Sequence, residues 1–248
     1  MNGQIYCKHS VRDFSDEKVE ECLDIIKNRI VLNDNTRLLV FIKYGELHVL
    51  NSLKPIIAEI CDCLIIRNTQ AAITLTNHLF ENVLKQALII WDSQGRTLND
   101  VQQIEKLFEH EVEEYDNRDL EPNINKCKSK GLISKDESNR LKKLKDIYRN
   151  SFSHASYSRL FKNASTIMYS ASYKNPTDIK EESVAISKVP FLYLRAQEEF
   201  AKQNAFHYFT EIYTFVNDMD EKLLDLYPDV KGFVEKEKMK RIRENHKE

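Results

Sequence analysis

Glycine and proline are scarce in this 248-residue chain, five of each, so sharp turns are few. A sandwich or barrel of many short strands needs turn residues about every 8–12 positions, and the shortage favours long helices instead. Cysteine is also sparse and odd in number, at Cys7, Cys22, Cys61, Cys63 and Cys127. Such spread offers no disulfide framework and reads as reduced thiols in a cytoplasmic protein. Cys61 and Cys63 form C-x-C rather than the C-x-x-C of zinc or redox sites, so no metal is expected. No apolar run approaches the roughly 18 residues of a membrane span, and Met1-Asn2-Gly3-Gln4 opens without the basic and apolar regions of a signal peptide. The expectation is a protein neither secreted nor membrane-bound. A G-x-x-x-x-G-K-[ST] phosphate loop is missing, and no cofactor is expected. A net charge of −2 gives no general attraction to nucleic acid.

What is present suits a helical bundle. Hydrophobic residues make up 42% and charged residues 31%, enough for a core and a solvated helical surface. Val19, Cys22, Leu23, Ile26 and Ile30 recur at helical spacing within 16–30. The run Arg37 to Tyr44 (RLLVFIKY) fits either a short strand or a buried helical turn. A helix is predicted over 46–66, with Pro55 kinking it or starting its second part. Asn68 to Trp91 is the best central helix. Ala72, Leu75, Leu79, Val83 and Ile90 form its main stripe, and Phe80, Leu84 and Leu88 widen it. Asn99 to Asp119 reads as an acidic helix, whereas Lys126 to Arg149 is rich in Lys and Arg. These two segments either neutralise one another or leave the basic one, with Lys142 and Lys145, to hold RNA phosphates. Ser156 to Pro190 is polar and reads as an irregular connection with short helical pieces. Helical spacing returns over Phe191 to Met219, whose aromatics are assigned to the core, and Val230 to Glu248 forms a charged helical tail.

The most informative segment is Tyr148-Arg149-Asn150-Ser151-Phe152-Ser153-His154-Ala155. Gly131 reads as the stop of the preceding helix. Ser134-Lys135-Asp136-Glu137 then has the S-x-x-E form of a capping box. Leu141, Leu144, Tyr148, Phe152 and Ala155 continue as one apolar stripe. At about 100° per residue, Asn150 and His154 fall opposite that stripe and Arg149 lies on its flank. Exposed Arg and His are commonly ordinary surface residues, but their grouping with Asn150 combines anion-binding and proton-transfer chemistry.

Arg149-Asn150-x-x-x-His154 resembles the R-x(4–6)-H signature of HEPN domains, including the polar residue after the arginine. Glu81 and Lys85, four apart on the upstream helix, resemble the E-x(3)-K-R motif of some of these families; Gln86 replaces its final arginine. The alternative reading of Glu81 and Lys85 is a surface ion pair worth a few tenths of a kcal/mol. The resemblance covers roughly 67–218. It implies an all-α HEPN-like bundle over 67–219, with an N-terminal extension over 1–66 and the charged tail over 220–248. Many HEPN domains are metal-independent endoribonucleases that act as dimers in toxin–antitoxin, phage-defence or RNA-processing systems. A homodimer, RNA and an antitoxin or defence-system protein are the implied partners. The toxins of this kind that pair with a nucleotidyltransferase antitoxin carry a tyrosine two residues after the histidine as a modification target; this chain has Ser156 there and Tyr157 next, a departure from that subtype. Tyr157 is grouped with Lys142 and Lys145 as a candidate RNA contact.

The chemistry matches the residue types. RNA carries its own nucleophile, the 2′-hydroxyl, so cleavage needs its proton removed, the phosphorane charge stabilised and the leaving oxygen protonated. Histidine, with a reference pKa of about 6.5, transfers protons near neutrality. Arginine is always charged and offers a planar fork of donors. Asn150 can orient His154 or donate to phosphate. The competing expectation is a non-catalytic HEPN module that binds RNA or a partner protein.

Overall fold

The computed structural model describes residues 16–94, 106–152, 160–172 and 175–245. It is mostly helical, with a single two-stranded sheet among the described residues. Two long helices form its axis, α4 (Thr69–Asp92) and α8 (Pro190–Leu224). On α4, Ala72, Ile73, Leu79, Phe80, Val83, Leu84, Ala87 and Leu88 are all fully buried. Burial on so many sides follows from the packing of α3 (Lys54–Ile65), α5 (Glu109–Asp116), α6 (Leu120–Ser129) and α8 around it. Leu75 and Ile90 of the expected stripe are half-buried against the same core. On α8 the spacing of Ala201, Ala205, Tyr208, Ile212, Phe215 and Met219 gives a continuous buried face. Tyr208 meets α4 deep inside, where its hydroxyl donates to Asn77 Oδ1 at 2.8 Å.

The helix α2 (Thr36–Lys43) settles the RLLVFIKY segment. Leu39 and Ile42 point into the core while Phe41 is 75% exposed, a spacing that a strand could not produce. Pro55 lies in the first turn of α3, where its missing N–H removes no hydrogen bond. Leu39, Leu50, Leu53, Ile57 and Ile60 from these elements share one core with α4 and α8. The loop before α3 is pinned from α8: the buried Asp220 carboxylate accepts the amides of His48, Val49 and Leu50 at 2.9, 2.8 and 2.7 Å.

The stretch expected to be irregular holds instead an antiparallel hairpin, β1 (Ser165–Ser172) and β2 (Asn175–Ala185), in register from Ser165 opposite Ala185 to Ala171 opposite Ile179. Its β-branched and aromatic residues Thr166, Ile167, Tyr169, Ile179 and Val184 favour extended backbone, a preference hidden among many Ser and Asn. Of the expected acidic helix, residues 99–105 lie outside the described residues and α5 is the part seen. The described course of the chain begins with α1 (Asp16–Val31) and ends with α9 (Pro228–Asn245), while residues 220–224 of the stretch read as tail belong to α8. None of the described helices is long and apolar enough to cross a membrane.

Candidate functional site

The scaffold of the motif segment is laid down by local chemistry. Gly131 adopts φ 77°, the left-handed conformation that ends a helix, and its N–H reaches the carbonyl of Lys128. Ser134 then caps α7 (Lys135–Leu144) with both arms of a capping box: Ser134 Oγ accepts from Glu137 N at 3.1 Å, and Glu137 Oε2 accepts from Ser134 N at 2.8 Å. Leu141 and Leu144 bury as expected. The helix then widens into a π-helical turn, Lys145–Arg149, before a last α-turn, Asn150–Phe152.

That wider turn corrects the α-helical projection. A π-turn accommodates one extra residue, so the positions after it slip relative to the stripe. Tyr148 remains buried, but Ser151 takes the next inward place and is 1% exposed, while Phe152 is half-buried. Arg149 turns onto α4. Its Nε donates to Glu81 Oε1 at 2.9 Å, joining residues 68 apart in sequence. The two side chains are 22% and 30% exposed, so the pair is shielded yet reachable from solvent.

Around Arg149 lies an open cleft of about 600 Å³, lined by Asp119, Leu120, Glu121, Asn125, Lys145, Arg149 and Asn150. Asn150 Nδ2 donates to Asp146 Oδ1 at 3.0 Å. Lys145 bonds the Glu121 carboxylate and lies 3.3 Å from Asp146 Oδ1. Burial works to lower the Lys145 pKa, but the bonds to Glu121 and Asp146 prevail and raise it. The same bond from Lys145 holds Glu121 below its ordinary value. Lys142 Nζ is 4.0 Å from Glu121 Oε1. Both lysines expected to hold phosphates therefore face a carboxylate. The acidic and basic segments also meet within the bundle, where Lys126 lies 3.4 Å from Glu114.

Tyr148, the residue before Arg149, belongs to an aromatic cluster. Tyr148 stacks on Tyr208 with centroids 3.9 Å apart and planes 7° from parallel, and tilts against Phe200. Burial holds the Tyr208 hydroxyl well above its ordinary pKa, with Tyr148 and the charge of Glu81 adding to the effect. Sequence reasoning missed this stacking, along with Asp119 and Glu121 in the cleft. The signal for Tyr208 was its place in the stripe of α8, which says core and nothing about what it supports.

Lys85, the second residue of the E-x(3)-K resemblance, is directed elsewhere. Its Nζ donates to the backbone oxygen of Asp116 at 2.5 Å and lies 3.2 Å from that residue's carboxylate, at the C-terminal end of α5. A cation there suits the helix dipole, and Lys85 does not line the cleft. His154 and Tyr157 lie outside the described residues. Burial pushes the thiols of Cys61 and Cys127 up to about 12, which leaves them unreactive near neutrality. Among the described residues, no three His, Cys, Asp or Glu side chains are grouped as metal ligands would be.

Compared with protein-family models, with curated proteins and with solved structures, the chain matches none.

Proposed function

We propose that the protein is a HEPN-type endoribonuclease that cleaves single-stranded RNA without a metal, by attack of the 2′-hydroxyl on the adjacent phosphate, in a toxin–antitoxin or phage-defence setting. The observation that carries this reading is the Glu81–Arg149 contact. Glu81 of the upstream fragment and Arg149 of the R-x(4)-H fragment, both singled out by the same resemblance, meet in space through their charged ends. Glu81 holds the Nε edge of the guanidinium and fixes its direction, acting as a positioning residue. Arg149 offsets the charge that builds on the phosphorane, and Asn150, on the lip of the same cleft, contributes a phosphate or histidine contact. His154, four residues beyond Asn150, supplies proton transfer. One histidine cannot be base and acid in the same step. A second copy presenting its own Arg149, Asn150 and His154 across a shared cleft would meet that need.

The reading is tested by incubating the purified protein with single-stranded RNA, with and without EDTA. Cleavage that survives EDTA, leaves 2′,3′-cyclic phosphate ends and disappears in His154→Ala is the expected result. One observation favours the second reading, a binding module without catalysis: Lys142 and Lys145 are engaged by Glu121, so the cleft offers RNA little net positive charge. Protein that binds RNA or a partner protein but leaves RNA intact would establish that alternative.

A further inference from the structure

Helix α1 carries an apolar seam that nothing in the described fold covers. From Lys18 to Arg29 every residue is exposed, including Val19 at 44%, Leu23 at 42% and Ile26 at 39%. The helix is tied to the body at its C-terminal end. There Asn33 Nδ2 donates to Leu64 O at 2.8 Å and Thr36 Oγ1 donates to Ile30 O at 3.1 Å. A lone helix of this length is marginal in water, because most helical stability comes from packing an apolar face. Val19, Leu23, Ile26 and Ile30 follow one another at steps of four, three and four, the spacing of a two-helix seam.

The charges beside the seam select the partner. The first nine residues of α1 carry Asp16, Glu17, Glu20, Glu21 and Asp24, relieved only by Lys18; the remaining seven carry Lys27 and Arg29. A parallel copy would set acidic half against acidic half. An antiparallel copy sets each half against its opposite, with Leu23 facing Ile26 of the second copy, Val19 facing Ile30, and Glu20 beside Lys27. Lys27 meets Asp24 of its own helix at 3.1 Å, with both side chains about two-thirds exposed; such a contact is weak and exchanges readily.

We propose that α1 is a self-association element, pairing antiparallel with α1 of a second copy about a two-fold axis. The pairing goes beyond the ribonuclease reading and is independent of it, since no residue of α1 lines the cleft at Arg149.

Sedimentation equilibrium of the full chain across the micromolar range tests this. The wild type is expected to be dimeric, and Leu23→Glu with Ile26→Glu to weaken association by roughly a hundredfold or more through loss of four buried aliphatic side chains per dimer. Circular dichroism should show a folded body in that variant, because none of its substitutions touches the core. Glu20→Lys alone and Lys27→Glu alone should each weaken the dimer. An equimolar mixture of the two should restore it, because each substituted side chain then meets the opposite charge in the other variant. A monomeric wild type overturns the proposal, as does a dimer indifferent to the seam variants. Failure of the mixture to re-associate overturns the antiparallel arrangement.

Discussion

Cutting the Glu81–Arg149 contact from both ends separates a pair that works as a unit from two residues that happen to touch. With Nε and Oε1 at 2.9 Å and the side chains 22% and 30% exposed, the pair lies between the surface and buried limits. Exposed pairs couple by about 0.2–1 kcal/mol and charged hydrogen bonds by about 1.5–3. Solvent screening puts this one near the lower range, at about 1 kcal/mol in a double-mutant cycle read by urea unfolding. The kinetic effect should be larger than the stability effect. Loss of a charge aimed at a developing anion costs about 10²–10³-fold, and Arg149→Ala should fall in that range in single-turnover cleavage of a labelled RNA. Glu81→Ala removes the acceptor at the Nε edge while the guanidinium charge stays, and a loss of about 10–100-fold is expected. Glu81→Gln keeps an oxygen able to accept from Nε, and should recover part of that loss. Glu81→Ala with Arg149→Ala together should be no worse than Arg149→Ala alone, because removing the arginine leaves Glu81 nothing to aim. If the two losses multiply, or if Glu81→Ala cleaves within twofold of wild type, the positioning argument is wrong.

Asp220→Ala strips three backbone amides of their acceptor and should cost about 3 kcal/mol or more in urea unfolding; Asp220→Asn should restore part of it. Gly131→Ala should cost about 1 kcal/mol; since a Cβ there meets nothing within 4 Å, the loss would come from backbone strain alone. Ser134→Ala removes the cap of α7 and should likewise cost about 1 kcal/mol by the same measurement. Glu137 is held below its ordinary value of 4.5, chiefly by the Ser134 amide, so its contribution is complete above that pH and is lost as pH falls through the lower folded value. Unfolding midpoints measured on descending pH should therefore show a decline that Glu137→Gln flattens.

The helical architecture was readable wherever the apolar period was strong. Leu79 and Val83 on α4, and Tyr208, Phe209 and Phe215 on α8, are buried where their spacing places them. Gly131 and Ser134 end one helix and begin the next through backbone chemistry that needs no tertiary context. Reading failed where local preference was ambiguous or diluted. Arg37 to Tyr44 is as good a strand as a helix by composition, and the fold, which sets no strand beside it among the described residues, makes it helical. The hairpin at 165–185 was obscured because its few β-branched residues are spaced among Ser, Asn, Lys and Glu. On α1 the period gave the helix, but its apolar face is left uncovered by the described fold: a periodic face implies a partner, and the partner need not belong to the same chain.

At the candidate site the sequence supplied residue types, and the fold supplied their directions. Glu81 and Lys85 are equivalent by helical spacing, yet only Glu81 meets Arg149, because α5 ends beside Lys85 and draws it to Asp116. Arg149 itself reaches α4 through the π-turn, which no propensity in Lys145-Asp146-Ile147-Tyr148-Arg149 announces. Local runs left the charge of the site open between mutual neutralisation and phosphate binding. A stretch dense in lysine suggested a phosphate track, but Glu121 comes from the helix packed alongside and takes up Lys142 and Lys145. A cleft built this way gains little affinity from general attraction to RNA, since few counterions would be released on binding. Its contribution to a reaction would have to come from direction: one shielded guanidinium held at its Nε edge by Glu81, next in sequence to a stacked tyrosine and followed by an asparagine. On the proposed ribonuclease reading, the substrate would be delivered or selected by other surfaces, and these residues would act on the phosphate once it arrives.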